Sequence, residues 1–236
     1  YEDDNILVIN KPVGLLSQKA TKNQISLSEQ IISYLLESKQ ITQDHLQTFR
    51  PAICNRLDRN TSGLIIAGKT LSSLQILSKA FQKQTIERYY LCIVIGRIKE
   101  KQQISGYLKK DPRSNHVVIS EEKSLKSSLI KTEYQPISYN DNFTLLKVKL
   151  ITGKSHQIRA HLASIGHPIL GDFKYGNKKI NEKYKIKSQL LHSWELILPE
   201  LEEELNYLSH KKYTTKIPEE IQKAARQCGL KDYQKS

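Results

Sequence analysis

The sequence predicts an α+β fold on a mixed, mainly antiparallel β-sheet with flanking helices, and three observations carry that expectation. Apolar or alternating segments follow one another across residues 88–151 with only polar turns between them. Helical stripes are few and do not alternate regularly with the strands, as a doubly wound parallel sheet would require. At 236 residues the chain is long enough to bury a core without staples, and it fits one large domain or two small ones.

Residues 6–9 are a short apolar run closed by Asn10, Lys11, Pro12 and Gly14, a strand entering a turn. In residues 26–38, Leu27, Ile31, Ile32, Leu35 and Leu36 recur at helical spacing. A polar connector, residues 39–50, leads to N-R-L-D-R-N-T-S-G at 55–63. Residues 64–67 then read as a buried strand. Thr70 caps a helix whose Leu71, Leu74, Leu77 and Phe81 share a face. Residues 88–98, rich in aromatic and β-branched side chains, form a long strand, and further strands are expected at 104–108, 116–119, 131–137 and 143–151. Thr152 and Gly153 turn the chain. Ser155 is the expected cap of a helix over 156–165 stopped at Gly166, with His156 and Arg159 on a face turned away from the core. Residues 190–198, with Trp194, make a closing strand, and residues 218–227 a last helix ended by Gly229.

Charge narrows the function classes. Lys and Arg number 37 against 24 Asp and Glu, a net charge of +13, which points to a polyanionic partner such as RNA. Residues 97–131 hold nine basic against four acidic side chains, and 174–187 hold six lysines against one acid. No apolar run approaches the roughly 20 residues of a transmembrane helix and no signal peptide opens the chain, so no membrane partner is expected. Cys54, Cys92 and Cys228 are scattered, with no C-x-x-C pair, which speaks against a disulfide framework or a cysteine zinc site and for a reducing, cytoplasmic setting. The chain lacks Met and begins at Tyr1, and reads as a fragment, a processed product or a trimmed chain.

Asp58 stands between Arg56 and Arg59, and opposite charge beside an acid favours its ionised form, as a nucleophile or base requires. A surface acid satisfied by arginines is the plainer alternative. Residues 63–70 match G-x-x-x-x-G-K-[ST], but the four central residues want burial, whereas a phosphate loop must expose its backbone N–H groups. His156 and His161 lie five apart, not the four of a zinc helix, so no metal is expected. Tyr89 and Tyr90 face opposite sides of their strand, so only one can serve a cleft. Residues 153–159 gather Lys154, His156 and Arg159 at a helix start, a phosphate or base contact or else a cap with a solvated face.

Taken together, the motifs at 56–63, at 88–96 (R-Y-Y-L-C-I-V-I-G), and at 152–172 (T-G-K-S-H-Q-I-R-A-H-L-A-S-I-G-H-P-I-L-G-D), with Tyr175-Gly176, the opening V-I-N-K-P-V-G-L-L and the late Leu190-Leu191-His192-Ser193, resemble the RluA-type pseudouridine synthases. The resemblance spans the chain from Asp4 to Leu198. It implies a single catalytic domain folded as two halves around a basic cleft, with Asp58 on its floor. It further implies isomerisation of uridine in RNA, in which the base is detached from its ribose, rotated and rejoined through carbon 5, with no cofactor or metal. By this resemblance Asp58 is the essential aspartate, attacking the sugar or assisting a glycal intermediate. Tyr90 stacks on the base and assists proton removal from carbon 5, Arg159 pairs with Asp58, and Leu191 walls the uracil pocket. Arg56 enters the RNA where the target base has been flipped out, and Arg59, Lys154 and His156 join it as RNA contacts. Departures from the family pattern are Asn55 in place of His, Lys154-Ser155 in place of Arg-Thr, and Cys92 in place of Ala.

The expected partner is ribosomal RNA of the large subunit, with transfer RNA second, and the expected state a cytoplasmic monomer. The N-terminal S4 domain that many relatives carry would lie outside this chain. Three rival classes are an inactive RNA-binding protein of the same fold, a phosphate-loop triphosphatase using Lys69, and a retaining glycosidase, which would need a second carboxylate near Asp58.

Overall fold

The computed structural model describes residues 1–21, 23–111 and 116–231. In chain order its elements are β1 (Ile6–Lys11), α1 (Leu27–Glu37), α2 (His45–Thr48), β2 (Ala52–Ile53), β3 (Ser62–Gly68), α3 (Leu71–Gln82), β4 (Glu87–Ile95), β5 (Gln102–Lys110), β6 (Val117–Ser120), β7 (Ser128–Tyr139), β8 (Phe143–Leu150), α4 (Gln157–Ser164), α5 (Lys178–Lys183), β9 (Leu191–Ile197), a 3-10 turn at Glu203–Leu208, β10 (Lys212–Thr214) and α6 (Glu219–Gln227). This is the α+β class with a mostly antiparallel sheet that the sequence predicts. The elements gather into two compact units, Tyr1–Glu87 with Glu195–Thr215 and Arg88–Trp194 with Lys216–Ser236.

In the first unit β3 is buried along its whole length, as its apolar run demands. It pairs antiparallel with β1, from Ile6 opposite Gly68 to Lys11 opposite Gly63. Leu77 and Ala80 of α3 pack onto Ile6, Val8, Leu64 and Ile66, and onto Leu201, Leu205 and Leu208 from around the 3-10 turn. The expected cap of α3 is present as a capping box: Ser73 N donates to Thr70 Oγ1 at 3.1 Å and Thr70 N to Ser73 Oγ at 3.2 Å. Gly68 is required by packing, since a Cβ there would lie 2.7 Å from the backbone of Leu74. The phosphate-loop geometry is absent from residues 63–70: their centre is a paired strand, and Lys69 Nζ donates to Glu2 Oε1 at 3.1 Å and to Asp3 O and Gln40 Oε1 at 2.5 Å.

The second unit carries the strand order β4-β8-β7-β5-β6, all antiparallel. One core joins Ile93, Phe143, Leu145, Leu170 and Leu190 to Ile221, Ala224 and Ala225 of α6; another joins Leu108, Val117 and Ile130 to Ala160 of α4. Of β9, Leu191–Trp194 fall in this unit and Glu195–Ile197 in the first. The helix expected from 156 begins at Gln157, because His156 takes a left-handed conformation (φ 57°) as its N-cap and makes no side-chain cap bond. Ser155 is therefore not the cap. Part of the lysine-rich stretch 174–187, read only as a basic segment, winds into α5, whose N-cap Asn177 accepts from Ile180 N at 3.1 Å. The basic stretch 97–131 includes residues 112–115, which lie outside the described residues.

Candidate active site

In the first unit Asp58 sits half-buried in the loop between β2 and β3, and the backbone on both sides of it is pinned. Before it, the buried Ser17 hydroxyl donates to Leu57 O at 2.7 Å and accepts from Leu57 N at 3.0 Å. After it, Arg59 O accepts from Gly14 N at 2.9 Å and from Lys11 Nζ at 3.2 Å, while Thr61 N closes the turn onto Asp58 O at 3.0 Å. Asn55, the departure from the family's His, still anchors the loop: Nδ2 donates to Leu64 O at 3.2 Å and Oδ1 accepts from Ile66 N at 2.9 Å. The exposed Arg59 donates through Nε to Gly14 O at 3.0 Å, and the exposed Arg56 reaches Gln18 Oε1 at 3.5 Å.

Sequence reasoning missed Lys11 as a site residue. Its side chain is wholly buried, and its ammonium donates to Pro12 O and Leu15 O at 2.8 Å as well as to Arg59 O. Burial pushes its pKa down to about 8, against the opposing pull of the Asp58 carboxylate. The legible signal is the Lys-Pro-x-Gly turn, in which Gly14 at φ 88° folds the chain back so that its carbonyls converge on the lysine.

In the second unit Arg159 is not turned to solvent, as the helix-face argument expected, but only 7% exposed. Its Nε donates to Asp172 Oδ2 at 2.7 Å and its Nη2 to Asp172 Oδ1 at 3.0 Å. Asp172 Oδ1 also accepts from Lys174 N at 2.8 Å and Tyr175 N at 3.1 Å. Burial alone would raise the Asp172 carboxyl, but the hydrogen bonds and charge of Arg159 together with these two amides hold it below the usual carboxylate range. The Arg159 guanidinium lies 5.2 Å from the centre of the Tyr175 ring, and the Tyr175 hydroxyl meets His156 Nδ1 at 2.8 Å. His156 and Arg159 are thus brought together through Tyr175. Lys154 is exposed, and its amide donates to the buried Gln157 Oε1 at 3.1 Å.

Tyr90, 5% exposed on β4, shares its face with the buried Arg88 two residues earlier. The Arg88 guanidinium occupies the space over Gly153, where a Cβ would lie 2.5 Å from Nη1, and it donates to Ile151 O at 3.4 Å. Leu191 is buried at the start of β9. His161 Nδ1 meets Thr132 Oγ1 at 2.9 Å, and His167 Nδ1 meets Ile95 O at 3.0 Å. Of the expected catalytic set, Asp58 belongs to the first unit, and Tyr90, Arg159 and Leu191 to the second.

Comparison with known proteins accords with these motifs. The family model of RNA pseudouridylate synthases matches residues 5–164. An uncharacterised RNA pseudouridine synthase of Mycoplasma genitalium is 33% identical over 206 residues, covering 86% of this chain and 63% of that protein. Ribosomal large subunit pseudouridine synthase D of Nitrosomonas europaea is 30% identical over 206 residues, covering 84% of this chain and 56% of that protein. The chain thus spans about 63% and 56% of the lengths of these curated relatives. In fold, human RNA pseudouridylate synthase domain containing 4 aligns over 98% of this chain and 93% of its own, with a TM-score of 0.78 at 20% identity. With the model matched over most of the sequence and the Asp58, Tyr90 and Arg159 motifs in order, the chain belongs to the RNA pseudouridylate synthase family, in its RluA-type branch.

Proposed function

We propose that this chain isomerises uridine to pseudouridine in large-subunit ribosomal RNA, without metal or cofactor. The bond between ribose C1′ and uracil N1 breaks, the base turns, and C1′ bonds to C5. The C5 hydrogen leaves as a proton and N1 takes one up. Asp58 acts at C1′ or assists a glycal intermediate, Tyr90 stacks on the flipped base and assists loss of the C5 proton, and Arg159 supports the carboxylate. Leu191 walls the uracil pocket, while Arg56, Arg59, Lys154 and His156 contact RNA. Flipping costs a few kcal/mol, which the pocket must offset.

The observation that carries this reading is the loop of Asp58, whose neighbours Leu57 and Arg59 are fixed by Ser17, Lys11 and Gly14 while the acid itself stays half-exposed. Relatives named as large-subunit ribosomal synthases support the choice of RNA. The reading takes the protein as a monomer in the reducing cytoplasm. Its three thiols are free, and burial pushes Cys54 up to about 12 and Cys228 up to about 11, which keeps them protonated. The test is incubation of the purified chain with ribosomal RNA carrying tritium at uridine C5. Release of tritium with formation of pseudouridine is expected, and no release from any ribosomal or transfer RNA would overturn the assignment.

A further inference from the structure

His156 starts α4 in a left-handed conformation and makes no side-chain cap bond, so the place where the helix begins is fixed by another group. That group is the amide of Gln157, which is buried. Its Oε1 accepts from Thr152 Oγ1 at 2.8 Å and from Lys154 N at 3.1 Å, and its Nε2 donates to Lys131 O at 3.0 Å and to Thr132 Oγ1 at 3.1 Å. These four bonds use both hydrogens and both acceptor sites of the side chain, which is thereby held in one orientation. A reversed amide would set its hydrogens against the Lys154 N–H.

The network continues along the helix. Thr132 Oγ1 accepts from Gln157 and gives its own hydrogen to His161 Nδ1 at 2.9 Å. The imidazole proton then sits on Nε2, which faces Gly106, where a Cβ would lie 3.8 Å away, and the ring also bonds to the Ser105 backbone. Gln157 and His161 are four residues apart and share one face of α4, both fastened to Thr132 of β7. Arg159, two residues from each, leaves the opposite side of the helix and meets Asp172 through Nε and Nη2. Asp172 holds the guanidinium at its tip, while Gln157 and His161 hold the backbone that carries it.

We propose that Gln157 is a positioning residue for the isomerisation: by fixing the start of α4 against β7, it sets the place of the Arg159 guanidinium. The proposal rests on the reading of Arg159 as the residue that supports the catalytic carboxylate. It separates Gln157 from its neighbours Lys154 and His156, which are read as RNA contacts: Gln157 acts on turnover, and those two act on binding. A misplacement of about 1 Å in a reacting constellation can cost on the order of 100-fold in rate, so a buried amide with all its bonds inside the protein can still govern kcat.

The experiment measures kcat and KM for tritium release from C5-labelled uridine in ribosomal RNA by wild type and Gln157→Ala, and follows the Arg159 Nε–H resonance of both by NMR. Gln157→Ala should lower kcat by roughly 10- to 100-fold with KM near the wild-type value, and should shift or broaden that resonance. Should Gln157→Ala fail to fold, Thr132→Val and Thr132→Ser carry the test. The Val variant removes the hydroxyl that both Gln157 and His161 use and should lose turnover in the same way, while the Ser variant should keep it. Unchanged kcat in Gln157→Ala or, where it does not fold, equal kcat in the two Thr132 variants would overturn the proposal. So would a rise in KM alone, which would assign Gln157 to the RNA-contacting turn, or a fall in kcat with the resonance in place, which would put the loss elsewhere. Wild type that releases no tritium would overturn the enzymatic reading, and this proposal with it.

Discussion

Asp172 grips one edge of the Arg159 guanidinium with both carboxylate oxygens, at 2.7 and 3.0 Å, and the side chains are only 9% and 0% exposed. Removing one partner of such a pair leaves a buried charge uncompensated. Asp172→Ala is therefore expected to destabilise the protein by about 3–5 kcal/mol in urea unfolding. A loss below about 1 kcal/mol, the value of an exposed pair, would show that the bridge is not closed in solution.

Lys11 gives the first pH dependence. Its pKa falls from 10.5 to about 8 on burial, so between these values the unfolded chain binds the extra proton and stability rises with pH. Wild type should gain stability relative to Lys11→Met as pH climbs through that window. A difference between the two that stays flat would contradict the buried, charged state at neutral pH.

At the acid end the sign is set by histidine. Burial lowers His161 and His192 from 6.5 to about 4, so the unfolded chain takes up their protons first and stability drains away as pH falls from 6.5 toward 4. His161→Gln should shallow that decline in a pH series of thermal melts. Asp172, whose pKa is lowered, acts in a separate range: its contribution is complete above 3.8 and fades only as pH falls further, through its depressed folded value.

Two glycines with the same left-handed backbone, φ 83°, should respond differently to alanine. At Gly166 nothing lies within 4 Å of a built Cβ, whereas at Gly171 the Cβ would meet Ser188 O at 2.1 Å. Gly166→Ala should cost about 1 kcal/mol of backbone strain, and Gly171→Ala clearly more. Equal unfolding midpoints for the two variants would refute the contact.

What could be read in advance followed local patterning. The apolar run of β3, the aromatic and β-branched run of β4 and the Thr70 cap are each written within about a dozen residues; β3 and the cap appear as expected, while β4 ends at Ile95 rather than 98 and is buried on both faces over residues 90–94 instead of alternating. The environment of Arg159 was not legible, because its partner lies thirteen residues on, in a loop, and helix spacing alone turned the side chain outward. Lys11 was hidden for a related reason: a lysine is read as surface unless the carbonyls that converge on it are known. The short helix α2 and strands β2 and β10 have two to four residues each, too few for any periodicity to declare them.

The measurement closest to the core of this account is tritium release from C5-labelled uridine in ribosomal RNA by wild type and by Asp58→Asn, with RNA affinity followed alongside. Wild type should release tritium and form pseudouridine, while Asp58→Asn should fall to the background rate with affinity retained. Release by Asp58→Asn at the wild-type rate would show that the carboxylate of Asp58 does not carry the reaction.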